Sequence, residues 1–328
     1  MINMNIKHDL YSNCAQDVFL NILDYYKLNS NYLLSSGWSF HYTPNDQSAI
    51  FGDAVNIYKN DFSELEMALK DVYGIELSWI PIVSPVASFK MLKKHINNFE
   101  PICIYIDSYY CNWQSGYNIY HNMHLIILLD ICNDYLLCAD PYINKAHVYL
   151  SFRDFIDGTK FLISLKKVSQ NIKISDNMIL CRSINNQFFK DESDKNTFEQ
   201  MRAFAYDLIP HKKILDEEFK EDNIAFISII RKTTYISYGR MSFLEFLMFM
   251  ENKHPTSKML SKYIGSFNEI ARMWSIISNK FIKYKLSGLQ FKVLSIISDD
   301  ILHVAILEEE IANALKFDHK ELKELIHG

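Results

Sequence analysis

Cys14, His124 and Asp140 have the residue types, and stand in the chain order, for nucleophilic chemistry. Cys14 lies in "YSNCAQDVFLNILDYYKL" (11–28), where Val18, Leu20, Ile22, Leu23, Tyr25 and Tyr26 form an apolar helical stripe. Ser12 and Asn13 are good caps for that helix. A thiol in the first helical turn meets unpaired backbone N–H groups and the positive end of the helix dipole, both of which favour a thiolate. His124 opens the apolar run "HLIILLDIC", and Asp140 ends "YLLCAD" before Pro141. Adjacent antiparallel strands can hold a carboxylate against one nitrogen of an imidazole and leave the other nitrogen for the thiol. The order therefore offers a nucleophile, a base and an orienting carboxylate. The competing readings are a small buried thiol for Cys14 and the use of His121 in place of His124. Asp130 and Asp134 lie in or beside a turn, where carboxylates are solvated.

The elements that must position these residues can be read from pattern. After the first helix, "SSGWSFHYTPNDQSAIFGDAV" reads as loop with short strands. "FSELEMALKDVY" (62–73) is a helix, with Ser63 and Glu66 spaced as a capping box. "IELSWIPIV" is a strand, and "SFKMLKKHINNF" is a second helix. "PICIYID" (101–107), "HLIILLDIC" (124–132) and "YLLCADPY" (135–142) are buried strands, the last two joined by an Asn-Asp turn at 133–134. "AHVYLSFRDFIDG" adds a strand and a short helix. The polar stretch 171–195 reads as a linker or crossover. Helical periods then dominate, at 196–209, 212–232, 242–252, 256–283, 288–298 and 303–324. The expected fold is α+β: a catalytic domain over 1–170, then a mostly helical domain over 196–328 that helps to wall the site.

Composition narrows the class. The 328 residues are 49% hydrophobic and carry a formal net charge of −5, without a dense basic run, so no nucleic-acid partner is indicated. No apolar run reaches membrane-span length and no signal peptide opens the chain. Six cysteines in such a chain point to reduced thiols in the cytoplasm. His121, His124, Cys111, Cys132 and Cys138 lie close in sequence, but without a C-x-x-C knuckle, and the cysteines alternate with apolar residues as core thiols do; no metal is expected. Asp107 could bind a substrate amine or cap a loop. Tyr109, Tyr110, Trp113, Tyr117 and Tyr120 could be core filler or the wall of an acyl pocket. "KMLKKH" (90–95) could face an acidic partner or only solvent. "MSFLEFLMFM" and "ARMWSIISNKFI" are helix-packing stripes.

The stretches "HDLYSNCAQDVFLNILDYYKL", "PICIYIDSYYCNW" and "HNMHLIILLDICNDYLLCADPY" together resemble the bacteriocin-peptidase-like branch of papain-like cysteine enzymes. More narrowly, they resemble the butirosin-biosynthesis acyltransferase family. The matching features are Cys14 at a helix start, Asp107–Tyr109–Tyr110 after a strand, His124, and Asp140–Pro141, over roughly residues 8 to 160. The resemblance implies a papain-like fold and a Cys-His-Asp triad. It implies transfer of an acyl group from an acyl or peptidyl carrier-protein thioester to a small-molecule amine or diamine. The phosphopantetheine belongs to the carrier, and no cofactor is bound. Papain-like enzymes carry an oxyanion-binding glutamine several residues before the cysteine. Here that region holds His8, so His8 or the backbone N–H of Cys14 is the expected donor. The same triad would serve a protease or thioester hydrolase, and a chain of this fold without activity would be a scaffold.

Overall fold

The computed structural model describes residues 1–44, 50–57, 62–167, 175–254 and 260–327, with side chains as far as 318. Helix α1 (Cys14–Tyr25) follows an irregular N-terminal segment. Two-residue strands β1 (His41–Tyr42) and β2 (Val55–Asn56) pair with each other. Helix α2 (Ser63–Tyr73), strand β3 (Ile75–Pro81) and helix α3 (Pro85–Asn97) come next. Strands β4 (Ile102–Asp107), β5 (Met123–Ile131), β6 (Tyr135–Asp140) and β7 (Lys145–Ser151) lead to helix α4 (Phe152–Gly158) and strand β8 (Thr159–Lys167). The rest is helical: α5 (Asp176–Phe188), α6 (Thr197–Asp207), α7 (Lys212–Glu218), α8 (Ser228–Lys253), α9 (Ser261–Leu286) and α10 (Phe291–His327).

The chain divides into two compact units, Met1–Leu33 with Leu65–Lys173, and Leu34–Glu64 with Ile174–Gly328. In the first unit a six-stranded antiparallel sheet has the order β3-β8-β4-β5-β6-β7. The centre of β4 and β5 is buried almost without a break, from Ile102 to Ile104 and from His124 to Leu129, as expected of strands covered on both faces. The turn at Asn133–Asp134 is closed by the Cys132 N–H donating to the Tyr135 carbonyl at 2.9 Å. Strand β8 has no counterpart in the sequence reading. It inserts between β3 and β4, so a late segment supplies the pairing that chain order alone does not suggest. At the start of α2 the Ser63 hydroxyl donates to Glu64 at 2.7 Å, and Glu66 accepts from the Trp79 indole.

The second unit departs from the expected boundaries. Residues 34–64 belong to the helical unit, and α5 occupies most of the expected linker; residues 168–174, around its start, lie outside the described residues. Polar anchors explain the allegiance of 34–64. The Gly52 N–H donates to Glu218 at 2.8 Å, the Tyr42 N–H to Gln200 at 2.9 Å, and the Trp38 indole to Glu308 at 2.9 Å. Gly37 and Gly239 meet backbone to backbone: a Cβ on Gly37 would lie 2.3 Å from the Gly239 carbonyl oxygen. Only glycine permits that approach. The expected helix 212–232 is broken between α7 and α8, while α8 runs on through Thr233–Gly239 to join the 242–252 segment. The Thr233 and Thr234 hydroxyls bond back to the Ile229 and Ile230 carbonyls, which lets β-branched residues sit in a helix interior. Segments 288–298 and 303–324 are a single helix, α10, since nothing between them breaks a helix.

Candidate active site

The site begins with a cap. Asn13 has extended backbone angles, and its side chain accepts from the Gln16 N–H at 2.9 Å, which starts α1 at Cys14. Apolar residues Val18, Phe19, Ile22 and Leu23 bury the helix and so fix where its first turn lies. Cys14 is half-buried there, with the N–H groups of the first turn about it. Burial pushes the thiols of Cys103, Cys111 and Cys138 up, away from ionisation. Cys14 differs from them in exposure and in its neighbour.

That neighbour is His124. The β5–β6 register pairs Ile127 with Ala139, so Asp140 falls diagonally from His124 on the same face. His124 Nε2 and Asp140 Oδ2 are 2.8 Å apart, both side chains buried. Nε2 donates to this carboxylate, and the Cys14 side chain acts on the ring through its charge and as a hydrogen-bonding group. Burial alone would push the imidazole down. The charge and hydrogen bond of Asp140, with those of Cys14, outweigh it and push His124 up to about 10. Burial would likewise raise the Asp140 carboxyl. The His124 charge and hydrogen bonds from His124, Trp113 and Gln114 hold it below its ordinary range instead. An imidazole that keeps its proton at neutral pH beside a half-exposed sulfur is the arrangement for an activated thiol.

Two donors to Asp140 come from the loop between β4 and β5. Trp113 Nε1 lies 2.9 Å and Gln114 Nε2 2.7 Å from Oδ2. Gln114 Nε2 also lies 3.2 Å from His124 Nε2, a packing contact because both nitrogens point their protons at Asp140. The sequence reading left Trp113 as core filler or a pocket wall and passed over Gln114. The available signal was a tryptophan–glutamine pair in a loop opening onto the histidine strand.

His8 has its own carboxylate. Its Nδ1 lies 2.7 Å from Asp17 Oδ2, and the Asp9 N–H donates to Asp17 Oδ1 at 3.1 Å. Burial pushes the Asp17 carboxyl up to about 6, against the lowering effect of the Asp9 N–H and His8. The Tyr142 ring meets both imidazoles edge to face, with centroids 5.8 Å from His8 and 6.1 Å from His124. Asp17 and Tyr142 were not singled out in the sequence, although each stands two or three residues beyond a residue that was.

Of the two readings of Asp107, an amine-binding group or a loop cap, the structure shows the cap. It is buried, accepts from the Tyr109 and Asn122 N–H groups through Oδ1, and contacts His121 Nδ1 at 2.6 Å through Oδ2. It ties down the two ends of the loop that carries Trp113 and Gln114. His121 stacks on Tyr109 at 4.4 Å and is exposed, whereas the histidine on which the Cys14 side chain acts is His124. Tyr110 packs on Gly158, and the Tyr117 N–H closes a turn on the Gln114 carbonyl. The tyrosines thus build the loop. Among the described residues no three His, Cys, Asp or Glu side chains converge as a metal-binding group, and no helix is long and apolar enough to cross a membrane. Compared with known proteins, the chain matches no family model and no curated protein.

Proposed function

We propose that the chain is a papain-like, cysteine-dependent N-acyltransferase that takes its acyl group from a carrier-protein thioester and gives it to a small-molecule amine. The observation that carries this reading is a buried imidazole held 2.8 Å from the Asp140 carboxylate and acted on by the Cys14 side chain. The Cys14 sulfur attacks the thioester carbonyl, and the C–S bond to the phosphopantetheine arm breaks. The departing thiolate takes the proton of His124. This exchange of one thioester for another is close to isoenergetic. The amine nitrogen then attacks the acyl-Cys14 carbonyl, the Cys14 C–S bond breaks, and amide formation makes the reaction run downhill without ATP. The chain is also similar to the amide synthase of closthioamide biosynthesis, a likeness that suggests a diamine acylated at both ends. The setting is the cytoplasm, in natural-product biosynthesis.

Transfer must outrun hydrolysis, because both use the same acyl-enzyme. A bound amine has the advantage of a large effective molarity, and the site must keep water from the thioester. The test is a single turnover read by intact-protein mass spectrometry. The benzoyl thioester of N-acetylcysteamine, a carrier-free mimic of the phosphopantetheine arm, supplies the acyl group. The expected result is one acyl group on Cys14 that survives for minutes alone and is lost quickly, as amide, when propane-1,3-diamine is added. Equal, rapid loss to water in both cases would make the protein a hydrolase. No acylation of Cys14 would remove the enzymatic reading.

A further inference from the structure

An aliphatic amine reaches the acyl-enzyme with one proton too many. Its ammonium form has a pKa near that of lysine, about 10.4, and so dominates at neutral pH. Converting an ammonium and an acyl-Cys14 thioester into an amide and the Cys14 thiolate releases two protons. One must leave before nitrogen has a lone pair to attack with, and the other leaves as the C–N bond forms. His124 can hold one of them. It is neutral once the carrier thiol has departed with its proton, and protonating it again restores the starting pair with Cys14.

The remaining proton needs a second acceptor, and the structure contains a second oriented imidazole. We propose that His8, oriented by Asp17, is the general base that takes the ammonium proton of the incoming amine and passes it to solvent. The inference rests on the acyltransferase reading. His8 Nδ1 faces a carboxylate, which only accepts, so the ring proton sits on Nδ1 and Nε2 of the neutral ring offers a lone pair. Nε2 has no hydrogen-bond partner among the described residues. The His8 side chain is 26% exposed, whereas that of Asp17 is 1% exposed. The pair therefore has a buried, fixed end and an open end from which a proton can leave. Asp17 is in the first turn of the helix that Cys14 begins, and the Tyr142 ring edges both His8 and His124. The groups facing His8 are Asp17, held in turn by the Asp9 N–H, and the Tyr142 ring.

Geometry separates this role from that of an oxyanion donor. A donor at Nε2 would need His8 doubly protonated, and it would serve the tetrahedral intermediates of both half-reactions. A base for the ammonium serves only the second half, and only for amines that arrive charged. The test measures acylation of Cys14 by the benzoyl thioester, then its discharge by propylamine or by hydroxylamine, which is already neutral near pH 7. In His8→Ala, discharge by propylamine should fall about 100-fold, the scale of general-base catalysis. Acylation and discharge by hydroxylamine should stay within about threefold of wild type. Asp17→Asn should show the same selective loss at about tenfold. If His8→Ala does not fold, His8→Gln and Asp17→Asn carry the test. Equal losses in both half-reactions would make His8 an oxyanion donor and overturn the proposal, as would equal losses with both amines or no loss with propylamine. A wild-type protein that acylates normally while His8→Ala behaves like it refutes the role of His8 and leaves the acyltransferase reading standing.

Discussion

Asp140 in the sheet unit and Glu308 in the helical unit are both fully buried carboxylates that accept from tryptophan indoles, and they differ in what else they hold. Glu308 accepts from Trp38 and Trp274 at 2.9 Å each and from Arg240 at 3.0 and 2.8 Å, so that both of its oxygens are occupied by rigid donors. Arg240 is itself buried; it also donates to the Ser39 carbonyl and lies over the Trp274 ring. Nothing in that cluster can move a proton or reach a reactive atom. Among the described residues Asp140 receives its donors on Oδ2 alone, with no partner on Oδ1, and its ionic partner is a histidine. That histidine leads to a half-buried thiol. A buried carboxylate whose every contact is closed holds a fold together; one whose partner can titrate and touches a nucleophile is placed for chemistry.

The largest effects should divide along that line. Asp140→Asn keeps the shape of the side chain but loses control of the His124 tautomer, and turnover should fall about 10⁴-fold with the unfolding midpoint little changed. Glu308→Ala leaves Arg240 buried and unpaired and should cost about 3–5 kcal/mol in urea unfolding. An Asp140→Asn protein that unfolds yet retains its specific activity would erase the distinction.

How much of this was legible in the sequence follows from which constraints are local. Cys14, His124 and Asp140 could be named because few residue types perform this chemistry and each marks the end of a clear element. The β5–β6 hairpin, which sets the histidine against the carboxylate, was legible from two apolar runs and a two-residue turn. The insertion of β8 and the allegiance of residues 34–64 were not, because both depend on pairings across more than fifty residues. Asp17 and Gln114 escaped for another reason. A polar residue in a first helical turn or in a loop has an ordinary local explanation, as a cap or a solvated side chain, and only the fold shows what it touches. Asp107 shows the converse: the sequence left it as an amine-binding group or a loop cap, and its own loop occupies the carboxylate.

A smaller effect would sharpen the comparison. Trp113→Phe and Gln114→Ala each remove one N–H from Asp140 Oδ2, and each should lower turnover about tenfold, the value of a hydrogen bond to a charged group. The double variant should lose less than the product of the two, because the donors share one acceptor. Steady-state turnover of the four proteins, wild type included, gives the cycle. Full additivity would mean that the loop positions Asp140 and His124 by separate routes.

The claim on which the rest depends is that His124, held by Asp140, arms Cys14. Competitive iodoacetamide labelling with peptide mapping reads it directly, since Cys132 and Cys181 are also half-buried and serve as internal comparators. Near pH 7 Cys14 should label well ahead of both, and His124→Ala should erase that lead. In the wild type the lead should narrow as the pH rises through about 8.5, where ordinary thiols ionise. A Cys14 that labels no faster than Cys132 and Cys181, or one whose lead survives His124→Ala, would contradict the account.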